Sequence, residues 1–275
     1  MKINIEQLTI LAKKLRIDTL TMITQAKSGH PGGSLSALDL ILYLYSNELN
    51  HDPKNPKNPS RDRFILSKGH GVPALYSVLA HYGYFAKNDL STFRQVDSLY
   101  QGHPANRLLD CIEASTGSLG QGLSVALGIA FAASIVQAKP SYRVYALLGD
   151  GELQEGQVWE ALMCAAHYKT NNLVIIIDRN KGQIDGLVDD VMGIEPLMDK
   201  FISFGCHSMR IDGHNFSAIH NALEEAKTIQ HKPVVIIADT IKGKGVSFLE
   251  KDTVSWHGKA LSAEELQQAI KELQE

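Results

Sequence analysis

The feature that most constrains this chain is a glycine-flanked carboxylate, Gly149-Asp150-Gly151, directly after the apolar run Arg143–Leu148. A second apolar run, Leu173–Ile177, follows one helix-length later and ends in Asp178-Arg179-Asn180-Lys181-Gly182. Short β-rich runs, apolar throughout and bounded by turn residues, read as parallel strands buried on both faces. Pro233–Ala238 is a third such run; Phe64–Leu66 and His207–Ile211 are weaker ones. Helical patterns alternate with them: Gln121–Gln137, Leu153–Tyr168, and Phe216–Gln230, the last behind the capping segment Asp212-Gly213-His214-Asn215. Alternation of this kind predicts βαβ units, hence an α/β fold with a parallel sheet and helices on both faces.

The spacing also predicts chemistry. Asp150 falls at the carboxyl end of a strand, where open α/β sheets bind ligands. Its glycine neighbours let a ligand approach the backbone, and a helix starting near Leu153 aims its positive end at the same place. A phosphate there would be repelled by Asp150 unless a hard divalent cation bridged them. Magnesium takes about six oxygens, including one or two protein carboxylates. The amide oxygen of Asn180 and the carbonyl of Gly182, at the tip of the next strand, supply the expected second and third ligands.

Bulk properties narrow the rest. With 275 residues, 44% of them hydrophobic and 21% charged, the chain is expected to form one domain over 1–275, and the strand-tip chemistry above makes it a diphosphate-binding one. The final helix, Ala263–Leu273, is charged and reads as the start of a linker or an exposed cap. A net charge of −3 argues against nucleic acid. Cys111, Cys164 and Cys206 are odd in number and far apart, so no disulfide framework or zinc site is expected. Near the N-terminus Ile5, Leu8, Leu11, Leu15 and Ile17 sit near helical spacing between charges. That is an amphipathic helix, not a signal peptide, and the expected location is cytoplasmic, with no membrane association. His51–Ser60, with three prolines, is a surface loop.

The pair GDG and a following asparagine resembles the thiamine diphosphate motif, and the likeness widens to the transketolase family. GDGELQEGQVWEA (149–161), KSGHPG (27–32), LSKGHG (66–71), QGHP (101–104), TGSLGQG (116–122), IDG (184–186), TIKGKG (240–245) and WHG (256–258) stand in the family's order. The resemblance implies the thiamine diphosphate-binding fold, with thiamine diphosphate as cofactor and Mg2+ as its metal, replaceable by Ca2+ or Mn2+. It implies metal ligation by Asp150, Asn180 and Gly182, and a backbone contact from Gly151 to the diphosphate. His70 and His257 would line the diphosphate and substrate region. Gly117 and Leu119 would contact the aminopyrimidine or thiazolium, and Ile184 would pack on the cofactor. His30 and His103 would face the sugar, and His30 and His257 would assist proton transfer. Glu155 and Glu160, grouped with the cofactor set, match glutamates that couple two active sites across a subunit interface. His81, His167, His220 and His231 have no implied role. Ser118 stands where the family often has proline, and Arg179 where an acidic or aromatic residue is usual.

The chain ends about where the family's pyrimidine-binding domain begins, and that domain carries the glutamate that activates the cofactor. The resemblance therefore implies a separate C-terminal subunit, an α2β2 assembly, and no turnover by this chain alone. The implied reaction moves a two-carbon ketol unit from a ketose phosphate to an aldose phosphate in the pentose phosphate pathway. A ketol transferase for an unusual branched or sulfonated sugar, and a non-catalytic cofactor-binding subunit, are the alternatives.

Overall fold

A computed structural model describes residues 4–136 and 142–275. The helices are α1 (Ile5–Ala26), α2 (Pro31–Tyr43), α3 (Val72–His81), α4 (Gln121–Val136), α5 (Gly156–His167), α6 (Val188–Met192), α7 (Leu197–Ser203), α8 (Phe216–Thr228), α9 (Ser247–Lys251) and α10 (Ala263–Gln274). The strands are β1 (Arg63–Leu66), β2 (Val144–Gly149), β3 (Leu173–Arg179), β4 (His207–Asp212) and β5 (Val234–Asp239). They form one sheet in the order β1-β2-β3-β5-β4, parallel at every pairing.

Strand alternation sorts the core into two layers. Tyr145 and Leu147 of β2, Val174 and Ile176 of β3, and Val234 and Ile236 of β5 pack with α1, α2, α3, α8 and α10. Their neighbours Ala146, Leu148, Ile175, Ile177, Val235 and Ile237 pack with α4, α5 and α7 on the opposite face. Both faces are covered, so the strands are apolar throughout, as expected for a parallel sheet.

Several boundaries differ from the sequence expectations. Strands β2 and β3 run on through Gly149 and Arg179, so Asp178 and Arg179 are strand residues. The helix expected from Leu153 begins at Gly156, and a 3-10 turn, Gly151–Gln154, precedes it. Gln137 lies outside the described residues, and α8 stops at Thr228. On α1 the buried face is Leu8, Ala12, Leu15, Arg16, Thr19, Leu20, Met22 and Ile23, whereas Ile5 is exposed. Helix α2 had no periodic signal because every one of its residues is buried, which erases amphipathicity. Helix α10 opens with a Ser262–Glu265 capping box and buries Leu266, Ala269 and Leu273 in the core layer that includes α1. One face of the helix thus packs on the core.

Candidate active site

The carboxyl ends of β1, β2, β3 and β5 release Ser67-Lys68, Asp150, Asn180 and Thr240 toward one cleft edge. Register places Gly149 opposite Asp178, so Asp150, just after β2, and Asn180, just after β3, emerge from adjacent strand tips. Asp150 is buried, and its Oδ1 and Oδ2 accept bonds from the amides of Gly151 (2.9 Å) and Lys181 (2.5 Å). Asn180 Oδ1 accepts from the Gly182 amide at 3.1 Å. The same short loop therefore holds both side-chain oxygens. The third oxygen, the Gly182 carbonyl, accepts a bond from Lys242 Nζ at 3.0 Å. Burial, then the negative charge of Asp178, pushes the Asp150 carboxyl up to about 6. Among the described residues no group of three or more His, Cys, Asp or Glu side chains could hold a metal. The oxygen set here is mixed: one carboxylate, one amide, one carbonyl.

Behind this set lies a polar network that sequence reasoning missed. Asp178 is fully buried and accepts from Lys68 Nζ (2.5 Å), Ser36 Oγ (2.6 Å), Asn180 Nδ2 (3.2 Å) and Thr240 Oγ1. Burial pushes its carboxyl up, but the Lys68 ammonium and these bonds outweigh that and hold it below the usual range. Glu152, also buried, ties three segments together through Ser67 Oγ, the Gly120 amide (2.9 Å) and the Gly149 amide (3.0 Å). Lys68, which lines the cleft, and Lys242, which bonds Gly182 and His257 behind its lining, are buried lysines. Ser67, Lys68, Thr240, Lys242 and Glu152 lie inside motifs already noted in the sequence, LSKGHG, TIKGKG and GDGELQ, whereas Ser36 lies in none. Only packing reveals that their side chains turn inward. Arg179, the unusual residue before Asn180, pairs with Glu195 (2.6 Å) and Asp239 (2.8 Å) and so braces the end of β3.

The four glycine-flanked histidines converge from separate loops. His30 precedes α2, with Pro31 at its first position, and His70 sits in the 3-10 turn Gly69–Gly71. Ring centroids of His30 lie 5.2 Å from His70, 5.5 Å from His257 and 6.3 Å from His103. Gly117, at φ 147°, is a position where a Cβ would meet the His103 ring at 3.0 Å. Burial, followed by nearby cations, lowers all four imidazoles: His30 to about 4, His257 to about 3, His70 well below 6.5, and His103 in the same direction. They are neutral at pH 7. His257 Nδ1 lies 3.0 Å from Lys242 Nζ; an ammonium can only donate, so the His257 proton belongs on Nε2.

Loop-to-loop bonds fix this convergence. The Gly32 amide donates to the Trp256 carbonyl (3.1 Å), and the Gly243 amide donates to the Gly32 carbonyl (3.0 Å). One residue before Lys242, the Ile241 amide donates to His214 Nε2 at 2.8 Å. His214 Nδ1 then donates to Asp39 (2.7 Å), which Arg16 also holds at 2.7 Å.

The resulting cleft has a volume of about 330 Å³. Of the thirteen residues predicted for the site, twelve line it: His30, His70, His103, Gly117, Leu119, Asp150, Gly151, Glu155, Asn180, Gly182, Ile184 and His257. Glu160 does not line it and is exposed on α5. Ile184 is 68% exposed at the rim. Glu155 packs beside Gly120, where a Cβ would come within 2.7 Å of its own. One wall offers oxygen ligands for a cation, and the other offers lysine and neutral imidazole donors for an anion and a polar substrate.

Residues 7–274 match a family model described as the thiamine diphosphate binding domain of transketolase. The 6-deoxy-6-sulfo-D-fructose transketolase subunit SqwG of Clostridium sp. (strain MSTE9) is 43% identical over 263 residues, 96% of this chain and 94% of that protein. Transketolase of Homo sapiens is 41% identical over 267 residues, 95% of this chain but 41% of that protein. An apulose-4-phosphate transketolase subunit of Phocaeicola vulgatus is 38% identical over 271 residues, 98% of this chain and 95% of its own length. The crystal structure of transketolase from Campylobacter jejuni superposes with a TM-score of 0.92 at 38% identity, covering 99% of this chain and 43% of that one. The chain thus spans about two fifths of the full-length transketolases it matches and nearly all of the relatives named as subunits.

Proposed function

Because the chain belongs to the transketolase family, matching its thiamine diphosphate-binding domain, we propose that it is the diphosphate-holding subunit of a ketol transferase. Its metal is Mg2+, held by Asp150, Asn180 and the Gly182 carbonyl. The observation that carries this reading is the meeting of those three oxygens on one loop-and-strand tip beside two buried lysines.

The residues fit the cofactor. Asp150 is a buried carboxylate without a side-chain cation partner, raised to about 6, and a divalent ion would relieve that destabilisation. Asn180 and Gly182 add neutral hard oxygens, the type magnesium prefers. Lys242 Nζ bonds the Gly182 carbonyl, so that oxygen is turned toward a cation. Lys68 and Lys242, with the Gly151 amide, are suited to the diphosphate. A cleft of about 330 Å³ falls within the range of small-molecule pockets.

Bound thiamine diphosphate supplies a nucleophilic carbon and an electron sink. The chain's own residues do the rest. His30 and His103, kept neutral, hydrogen-bond the ketose carbonyl and hydroxyls. His30 and His257, neutral at pH 7, donate ring N–H bonds to the carbonyl and aldehyde oxygens and assist proton transfer there. Leu119, Gly117 and Ile184 pack against the cofactor rings. A second chain contributes the pyrimidine-side glutamate and the sugar-phosphate arginines, in an α2β2 assembly in which Glu155 and Glu160 lie at the contact between active sites. The chain is inactive alone, works as one domain and resides in the cytoplasm. Among the described residues no helix is long and apolar enough to cross a membrane.

Two substrate readings remain. Transfer between ketose and aldose phosphates of the pentose phosphate pathway is the first. A branched or sulfonated sugar is the second, favoured by relatives named for 6-deoxy-6-sulfo-D-fructose and apulose 4-phosphate. The test combines this chain, its complementary subunit, Mg2+, thiamine diphosphate and a panel of ketose donors. Turnover is expected only with both chains present; turnover by this chain alone would falsify the incomplete-site reading. The donor preferred in the panel decides between the two substrates.

A further inference from the structure

Arg94 belongs to none of the motifs considered above, and it touches two of them. It follows the 3-10 segment Lys87–Thr92 and adopts φ 58°, a left-handed conformation uncommon for a long side chain. Its amide donates to the Tyr100 carbonyl at 2.9 Å, which fixes that turn. From there Nη1 donates to Ser28 Oγ at 3.0 Å, and Nη2 reaches the Gly102 carbonyl at 3.4 Å. Ser28 lies two residues before His30, and Gly102 lies one before His103. The guanidinium packs flat on Gly102: a Cβ there would come within 2.5 Å of Arg94 Cζ and Nε. Nε itself is buried with no hydrogen-bond partner.

We propose that Arg94 is a positioning residue, a guanidinium clamp that ties the His30 loop to the His103 loop and sets the spacing of the two imidazoles. The assignment rests on the reading of His30 and His103 as substrate-facing groups. A strained backbone, a glycine with no room for a side chain and a buried guanidinium edge all occur where the two loops meet. The charge acts together with the geometry. After burial, Arg94 is the next cause lowering both imidazoles. His30 also faces Lys68, Lys242 and His103, with the rings of His70 and His257 against it. His257 and His70 are lowered by burial and by Lys242 or Lys68, not by Arg94. Loss of the clamp should therefore register on two histidines of the four.

Proton–carbon correlation NMR of the histidine rings reads this directly in the full chain, without cofactor or partner, with peaks assigned by single His→Gln variants. In Arg94→Met the titration midpoints of His30 and His103 should move up, while those of His257 and His70 stay in place. Arg94→Lys keeps the charge but loses the fork, so the two midpoints should stay low while their ring shifts change. The His220 peak, from a ring bonded to Tyr43 away from the cleft, reports that the fold is intact. Unchanged His30 and His103 signals in both variants overturn the clamp. If Arg94→Met does not fold, Arg94→Lys decides alone: moved ring shifts support the clamp and unmoved ones overturn it. In the reconstituted enzyme Arg94→Lys should raise KM for the ketose several-fold and leave thiamine diphosphate affinity unchanged. Absence of turnover in the wild type would count against the proposed function, whereas the NMR outcome stands independently.

Discussion

Asp150 carries opposed demands. Its carboxylate is suited to a divalent cation, yet burial makes the charged form costly in the metal-free chain. Asp150→Asn should abolish magnesium-dependent thiamine diphosphate binding by calorimetry, leave the circular dichroism spectrum unchanged, and raise the melting temperature of the cofactor-free chain at pH 8. A lower melting temperature would show that the two amide bonds to the carboxylate matter more than its desolvation. Lys242 is the anion-side counterpart. Lys242→Met keeps the buried stem and removes the charge, so cofactor affinity should fall on the order of tenfold to a hundredfold, the value of one charge-assisted hydrogen bond. The histidines give the pH dependence. His30 and His257 have folded pKa values of about 4 and about 3, below the ordinary 6.5 of an imidazole, so the unfolded chain binds more protons in that window. Stability from these groups is present above pH 6.5 and is lost as pH falls through that value, down to about 4 for His30 and about 3 for His257. His257→Asn should flatten the acid side of a plot of unfolding free energy against pH, and an unaltered slope would contradict the depressed value.

At the scale of elements, glycines separate close approach from open space. A Cβ at Gly69 would stand 2.9 Å from the Gly117 amide nitrogen, so the KGHG turn and the TGSLG loop touch through backbone. Gly69→Ala should destabilise by about 1–3 kcal/mol through overpacking and shift the His70 and His103 signals together. Gly128, inside α4, has no atom within 4 Å of such a Cβ. Gly128→Ala should stabilise by about 0.5–1 kcal/mol, since it only restores helix propensity. Helix α10 is tested by Leu273→Ala. With Leu273 buried in the core layer shared with α1, chemical denaturation should show a loss of about 2–5 kcal/mol. A loss near zero would return α10 to the exposed cap that its charged sequence resembles. The packing of this helix is hidden in the sequence for a physical reason: α10 is charged or polar on most positions, and its three buried residues are a stripe whose partner, α1, lies at the opposite end of the chain.

For the whole molecule, the parallel sheet was legible because both-face burial writes continuous apolar runs into the sequence, and all five strands stood within two residues of their expected limits. The lining of the cleft was legible where glycine and histidine share a motif, since glycine at a fixed offset leaves the backbone beside the imidazole open. Asp178, Asp39 and Arg94 were not legible. A buried carboxylate partnered by Lys68, a carboxylate shared by Arg16 and His214, and a guanidinium joining Ser28 to Gly102 are pairings across 23 to 175 positions, or between loops with no common period. Mixing with the complementary subunit tests the proposed assembly: light scattering should report a mass near twice the sum of the two chains, and a mass of one chain alone would exclude it. By itself the sequence determined the layer architecture, the strand tips and most of the residues that line the cleft, because those depend on local pattern and residue chemistry. Only the tertiary structure decided which side chains lose water, which charges meet and how far apart the four imidazoles stand, because those follow from long-range packing that no local period encodes.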